Sequence, residues 1–173
     1  MGAGLAYQPL APEALVERCR ELAAQPGLPE RWELDEYGEV VEVIMPSPAH
    51  QRIVTALLVQ LREQLGGDAL PGVNVLTRIG VRIPDVAWNP EPRDDDPAIP
   101  APQICIEVES AGNTRKELDE KLAAYLAAGA REVILVEISG RIRYFDARGE
   151  RPDSAFGLRL ALPAHSYPPT QRG

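Results

Sequence analysis

The chain has 173 residues, of which 45% are hydrophobic and 25% charged, with a formal net charge of −8. These figures suit one globular domain with a sizeable core, and neither a membrane-span run nor a basic-then-apolar leader is visible, so a cytoplasmic location without a membrane partner is expected. The negative charge argues against a broadly basic nucleic-acid-binding surface, since phosphate contacts need Lys and Arg, but it leaves room for a local basic track or a cation among the acids.

Ala11-Pro12-Glu13 opens a first helix, with Pro suited to the first helical position. Leu15, Cys19 and Leu22 form its apolar stripe, and Gln25-Pro26-Gly27 ends it. Cys19 and Cys105 are the only cysteines and both lie in apolar surroundings, so two buried thiols are expected and no disulfide framework or CxxC pair exists. Trp32, Leu34 and Val40 to Met45 predict a hairpin around Asp35-Glu36-Tyr37-Gly38. Ser47-Pro48 caps a second helix running to Gly66-Gly67, with Val54, Leu57, Leu58, Leu61 and Leu65 as its stripe. His50 lies one turn before Val54, on the buried side; it reads first as a satisfied structural residue and second as a candidate for the edge of a site.

Val73 to Ile79 and Val81 to Trp88 predict two strands, or one strand bent at Gly80. Val81, Ile83, Asp85 and Ala87 would share one face of the second. In the proline-rich loop from Pro90 to Pro102, the Asp94-Asp95-Asp96 run reads as solvated acids rather than a cation site. Gln103 to Glu109 predicts a strand with Ile104, Ile106 and Val108 on one face and Cys105, Glu107 and Glu109 on the other. Thr114 to Glu117 is a capping box for a third helix that Gly129 ends, with Leu118, Leu122, Tyr125 and Leu126 buried and Lys121 on the flank. The apolar run Val133 to Ile138 reads as a central strand, Ile142 to Phe145 as its hairpin partner, and Leu158, Leu160 and Leu162 as an added edge strand. The unit from Gln103 to Ile138 is a crossover whose strands should be parallel. A single domain over 1–162 and a tail over 163–173 are expected, built on a mixed central sheet with helices on its faces.

Acids inside apolar runs are costly to bury without a partner. If the strands of Asp85 and Glu107 are neighbours, Asp85, Glu107 and Glu109 converge. Two carboxylates about 4 Å apart repel by about 4 kcal/mol at an effective dielectric near 20, so either one takes a proton or a cation sits between them. Oxygen ligands favour Mg²⁺ or Mn²⁺, which activates water and offsets charge on a phosphate, and Lys121 could reach the same place. The bland alternative is that Glu107 and Glu109 line a solvated sheet face and Lys121 salt-bridges one of them. Other chemistries lack their signatures: there is no P-loop, GxGxxG, HExxH or GxSxG, and the only histidines are His50 and His165.

Pro84-Asp85-Val86, then Glu107-Val108-x-Ser110, then Lys121, Tyr125 and Gly129 before an apolar strand resemble the bacterial putative restriction endonuclease family of the PD-(D/E)XK nuclease superfamily. Trp32-Glu33-Leu34 and Ser47-Pro48-Ala49-His50-Gln51 resemble it too, so the likeness runs from about Trp32 to Phe145. The resemblance implies a restriction-endonuclease-like α/β/α sandwich, here with an added N-terminal helix and hairpin, and a Mg²⁺-dependent hydrolase of DNA phosphodiesters. It implies Asp85 and Glu107 as metal ligands and Lys121 as a relocated catalytic lysine. The superfamily's usual lysine lies two residues after the second acid, where this chain has Glu109. Glu109, His50, Gln51 and Ser110 are expected at the edge of the site. A homodimer is the analogy offered by enzymes that cut both strands. The other reading is a catalytically inactive relative serving as a DNA-associated or protein-interaction module, motivated by the acidic charge and by Glu109.

Overall fold

The computed structural model describes residues 7–164. Most of the expected tail, with His165, lies outside the described residues.

Helix α1 (Pro12–Ala23) buries Leu15, Cys19 and Leu22, the stripe expected from spacing. Strands β1 (Trp32–Leu34) and β2 (Val40–Glu42) form the expected hairpin, shorter on its second arm. Helix α2 (Pro48–Leu65) starts with Ser47 Oγ accepting the His50 N–H at 3.2 Å, and buries Ile53, Val54, Leu57 and Leu61.

The next stretch departs from the expectation of one or two strands. It holds β3 (Asp68–Leu70), β4 (Val75–Thr77), β5 (Gly80–Arg82) and β6 (Val86–Asn89), and β4 and β5 are a tight hairpin. Asp85 therefore does not sit within one strand alongside Val81 and Ile83. It occupies the link between β5 and β6, which belong to different sheets.

Strand β7 (Ile104–Val108), helix α3 (Arg115–Ala127) and strand β8 (Glu132–Val136) make the predicted crossover, and β7 and β8 are parallel. Both parts of the Thr114–Glu117 capping box are formed. Strands β9 (Ile142–Asp146) and β10 (Gly149–Arg151) follow antiparallel to their neighbours.

The main sheet has the order β10-β9-β8-β7-β6-β3, mixed because only β7 and β8 run parallel. On one face, Ile104, Ile106, Val108, Ile134 and Val136 pack with Ile53, Leu57 and Leu61 of α2. On the other, Cys105, Val133 and Leu135 pack with Leu118, Leu122 and Tyr125 of α3. The alternation of β7 thus sorts its residues between two cores, and Glu107 falls on the α3 side. A second sheet, β2-β1-β5-β4, carries α1 through Cys19, Leu22, Leu34 and Val81.

The expected edge strand at Leu158 to Leu162 does not form, and β10 is the edge instead. Two helical glutamines take up the backbone of that segment. Gln64 exchanges two hydrogen bonds with Arg159 (2.8 and 3.0 Å), and Gln60 two with Ala161 (2.8 and 2.9 Å). Both thiols are free and buried. Among the described residues no helix is long and apolar enough to cross a membrane.

Candidate active site

The site grows from the antiparallel pairing of β6 with β7, in which Val86 opposes Ile106 and Ala87 opposes Cys105. One step further along that register, Asp85 comes opposite Glu107. Asp85 Oδ2 accepts the Val108 N–H at 2.8 Å, a backbone bond that fixes the carboxylate at the strand end. His50 Nε2 lies 3.3 Å from the same oxygen and 3.2 Å from the Val108 carbonyl, so the Nε2–H is shared between two acceptors. His50 Nδ1 is buried with no partner among the described residues. Burial works against the charged imidazole, but the Asp85 hydrogen bond and charge outweigh it and hold the His50 pKa above its ordinary value.

Helix α3 supplies the other side. Lys121 and Tyr125 are four residues apart and therefore stack on one helical face. Tyr125 donates to Glu107 Oε1 at 2.8 Å, and Lys121 Nζ lies 3.5 Å from the same oxygen. Glu107 is buried, and burial pushes its pKa up to about 7; the Lys121 charge and the Tyr125 bond pull it down, while Asp85 and Glu33 push it further up. Burial disfavours the Lys121 charge, yet Glu107 and Glu33 more than compensate and raise its pKa above the ordinary value, so the side chain remains an ammonium.

Glu33 is the site residue that reading the sequence missed. It comes from β1 in the second sheet and is only 4% exposed. Its Oε1 accepts Lys121 Nζ at 2.7 Å and the Ile83 N–H at 2.9 Å, and its Oε2 accepts Arg82 at 3.1 Å. The signal was present, for Glu33 stands between Trp32 and Leu34 in a strand, and the rule that flagged Asp85 and Glu107 applies equally to it.

The expected edge residues divide. His50 is in contact with Asp85. Glu109 is directed elsewhere: it lies past the end of β7, its Oε2 accepts the Ile138 N–H at 2.8 Å, and it does not join the pair as expected from alternation. The two-residue period stops with the strand. Ser110 is turned into a local loop by Asn113, at 2.9 Å, and Gln51 is exposed on α2. In the acidic loop, Asp95 caps Ile99 N–H and pairs with Arg93, and Asp96 accepts from Asn74, as suits structural rather than cation-binding acids.

The donor set fits a hard cation. Every recorded contact of Asp85 goes to Oδ2 and every one of Glu107 to Oε1, which leaves Oδ1 and Oε2 without a hydrogen-bond partner among the described residues. No group of three or more His, Cys, Asp or Glu among the described residues is arranged to hold a metal. Mg²⁺ commonly takes only one or two carboxylates and completes its shell with waters and substrate phosphate.

A mixed sheet between α2 and α3, with a parallel crossover at its centre, is the α/β/α arrangement expected of a restriction-endonuclease-like fold. The chain belongs to the Uma2 family, described as putative restriction endonuclease, whose model matches residues 18–156. Its fold is similar to that of a putative nuclease belonging to DUF820 from Anabaena variabilis, with a TM-score of 0.64 and 16% identity over 83% of this chain and 93% of the other. A search of curated proteins returned no match.

Proposed function

We propose that the protein is a divalent-cation-dependent endonuclease acting on DNA, with Asp85 and Glu107 as the ligands of Mg²⁺ (or Mn²⁺) and Lys121 as the catalytic cation. The observation that carries this reading is the meeting of Asp85, Glu107 and the Lys121 ammonium at the end of β7, each on a different segment. When bound, the cation would acidify a water and offset charge developing on a phosphate.

The residues of the chain do the rest. The Val108 N–H holds Asp85 by one oxygen and keeps the other available. Tyr125 does the same for Glu107. Lys121 stays protonated and so cannot take a proton from water; its work is to donate hydrogen bonds and offset negative charge at the scissile phosphate. His50 closes the side of the site behind Asp85, excluding water from that carboxylate oxygen. Cleavage of both strands would call for two centres, and sedimentation of the protein on a duplex tests for a homodimer.

Purified protein should cut supercoiled plasmid, linear duplex or single-stranded DNA only with Mg²⁺ or Mn²⁺, and Asp85→Ala and Glu107→Ala should each lower the rate by at least about 100-fold. No cleavage of any DNA form, or an Asp85→Ala variant as fast as wild type, would end this reading. The competing one, an inactive relative acting as a DNA-associated or protein-interaction module, draws on the finding that no three or more His, Cys, Asp or Glu among the described residues are grouped to hold a metal. Calorimetric Mn²⁺ binding that Glu107→Ala abolishes counts against it.

A further inference from the structure

We propose that Glu33 is the positioning residue for Lys121, holding the ammonium at ion-pair distance from Glu107 without letting the two close into a hydrogen bond. The inference rests on the reading of Asp85, Glu107 and Lys121 as one site, and extends it to a residue in the second sheet.

Four distances carry it. Lys121 Nζ is 2.7 Å from Glu33 Oε1 but 3.5 Å from Glu107 Oε1, so Glu33 takes the hydrogen bond and Glu107 a longer ion pair. Glu33 cannot follow the lysine, because Ile83 N–H holds Oε1 at 2.9 Å and Arg82 holds Oε2 at 3.1 Å. A buried carboxylate with both oxygens tied to donors is a rigid post, whereas a lysine stem has four rotatable bonds. Without the post, the nearest anion for Nζ is Glu107. A hydrogen bond there would occupy the carboxylate that a cation needs and withdraw the ammonium from the phosphate. Tethered at 2.7 Å on its other side, Lys121 lends charge to the site and leaves Glu107 Oε2 accessible.

The Ile83 bond adds a second consequence. Ile83 lies two residues before Asp85, in the link from β5 to β6, so one carboxylate fixes both the lysine and the segment that carries the first acid. Glu33 thereby couples β1 to the two sides of the site.

The chain has only two lysines, Lys116 and Lys121, which makes the test direct. In ¹⁵N-lysine-labelled protein, Lys116, with its side chain 85% exposed, serves as the internal reference, and Lys121 should give a separate, slowly exchanging ammonium signal. Glu33→Gln should shift that signal or broaden it away while leaving the Lys116 signal in place. By calorimetry, Glu33→Gln should weaken Mn²⁺ binding about tenfold, and the double variant Glu33→Gln/Lys121→Met should bind as well as Lys121→Met alone, because the displaced ammonium is then gone. In DNA cleavage, Glu33→Gln should lower kcat by about 10- to 100-fold with little change in the KM for DNA, and should have no further effect in the Lys121→Met background.

An unshifted Lys121 signal in Glu33→Gln overturns the proposal whatever the activity. Mn²⁺ binding lost in Glu33→Gln and not regained on removing Lys121 overturns it too, by making Glu33 a ligand. If Glu33→Gln does not fold, the ammonium signal of wild type decides: fast exchange at Lys121, equal to that at Lys116, rules out the tether. The first and last of these need neither a cation nor DNA, so they stand even if the protein proves not to be a nuclease.

Discussion

Glu107 is the residue whose environment makes the sharpest prediction. Its pKa is about 7 in the fold against 4.5 ordinarily, raised chiefly by burial, so the folded chain keeps this proton to higher pH than the unfolded one. Stability from this group is therefore fully present below pH 4.5 and is lost as pH rises through about 7, an effect on the order of 3 kcal/mol. In chelated buffer the melting temperature of wild type should fall between about pH 5 and 7 more than that of Glu107→Gln, and Mg²⁺ should reduce the difference. Equal slopes for the two proteins would show that Glu107 is ionised in the fold as freely as in water. Tyr125→Phe removes a donor that pulls the Glu107 pKa down, so the carboxyl should titrate still higher by ¹³C NMR, with a loss of about 1–3 kcal/mol in stability. A buried acid does not by itself mark a site. Glu132 is equally buried in β8, and its partners are the Ser154 hydroxyl and the Ala155 N–H, a latch between the sheet and the segment after β10. What separates Glu107 from Glu132 is the Lys121 ammonium within ion-pair distance, with Asp85 and Glu33 beside it.

At the scale of elements, the local signals were dependable where one element satisfies its own backbone. The capping box of α3, the Ser47 cap of α2 and the apolar stripes were all legible. The signals failed where polar groups are satisfied from a distance. Leu158 to Leu162 alternates like a strand, but the amides of Gln60 and Gln64 satisfy it against α2, and nothing in the alternation reveals that partner. Gln60→Ala with Gln64→Ala removes four such bonds at exposed positions. The double variant should lose about 1–2 kcal/mol and be cut faster in this segment by limited proteolysis. Gly80, the first residue of β5, has φ +110°, and a Cβ added there would lie 2.0 Å from the Leu34 carbonyl oxygen. Gly80→Ala should therefore cost at least about 3 kcal/mol, separate β5 from β1, and disturb Glu33 and the Lys121 ammonium signal with it. A Gly80→Ala protein as stable as wild type would mean that β1 and β5 need not touch.

At the scale of the whole molecule, the net charge of −8 has a structural counterpart. Arg82, Arg93, Arg115, Arg141, Arg143 and Arg151 are each held by carboxylates of the same chain. Acids outnumber basic residues by 26 to 18, so the arginines outside these pairs act against a net repulsion of a phosphate backbone. Anisotropy titrations on duplex DNA should accordingly give a shallow dependence on monovalent salt, with a log–log slope below about 3, and an affinity that rises with Mg²⁺ or Mn²⁺. A slope of about 6 or more would mean that a basic track forms on binding.

The sequence by itself determined the helices, the parallel crossover from β7 to β8, and the two acids that stand out against apolar neighbours. Each is written in short-range periodicity, capping chemistry or the cost of burying a charge. The tertiary structure alone decided which of the acids meet. It turned Glu109 away to the Ile138 amide once the strand ended, and it brought Glu33 to Lys121 across 88 positions of sequence. Periodicity fixes the face on which a side chain lies, but the distance between two faces depends on how one sheet is set against another. That packing is where Glu33, an acid between apolar neighbours whose partner no local spacing names, joins the site.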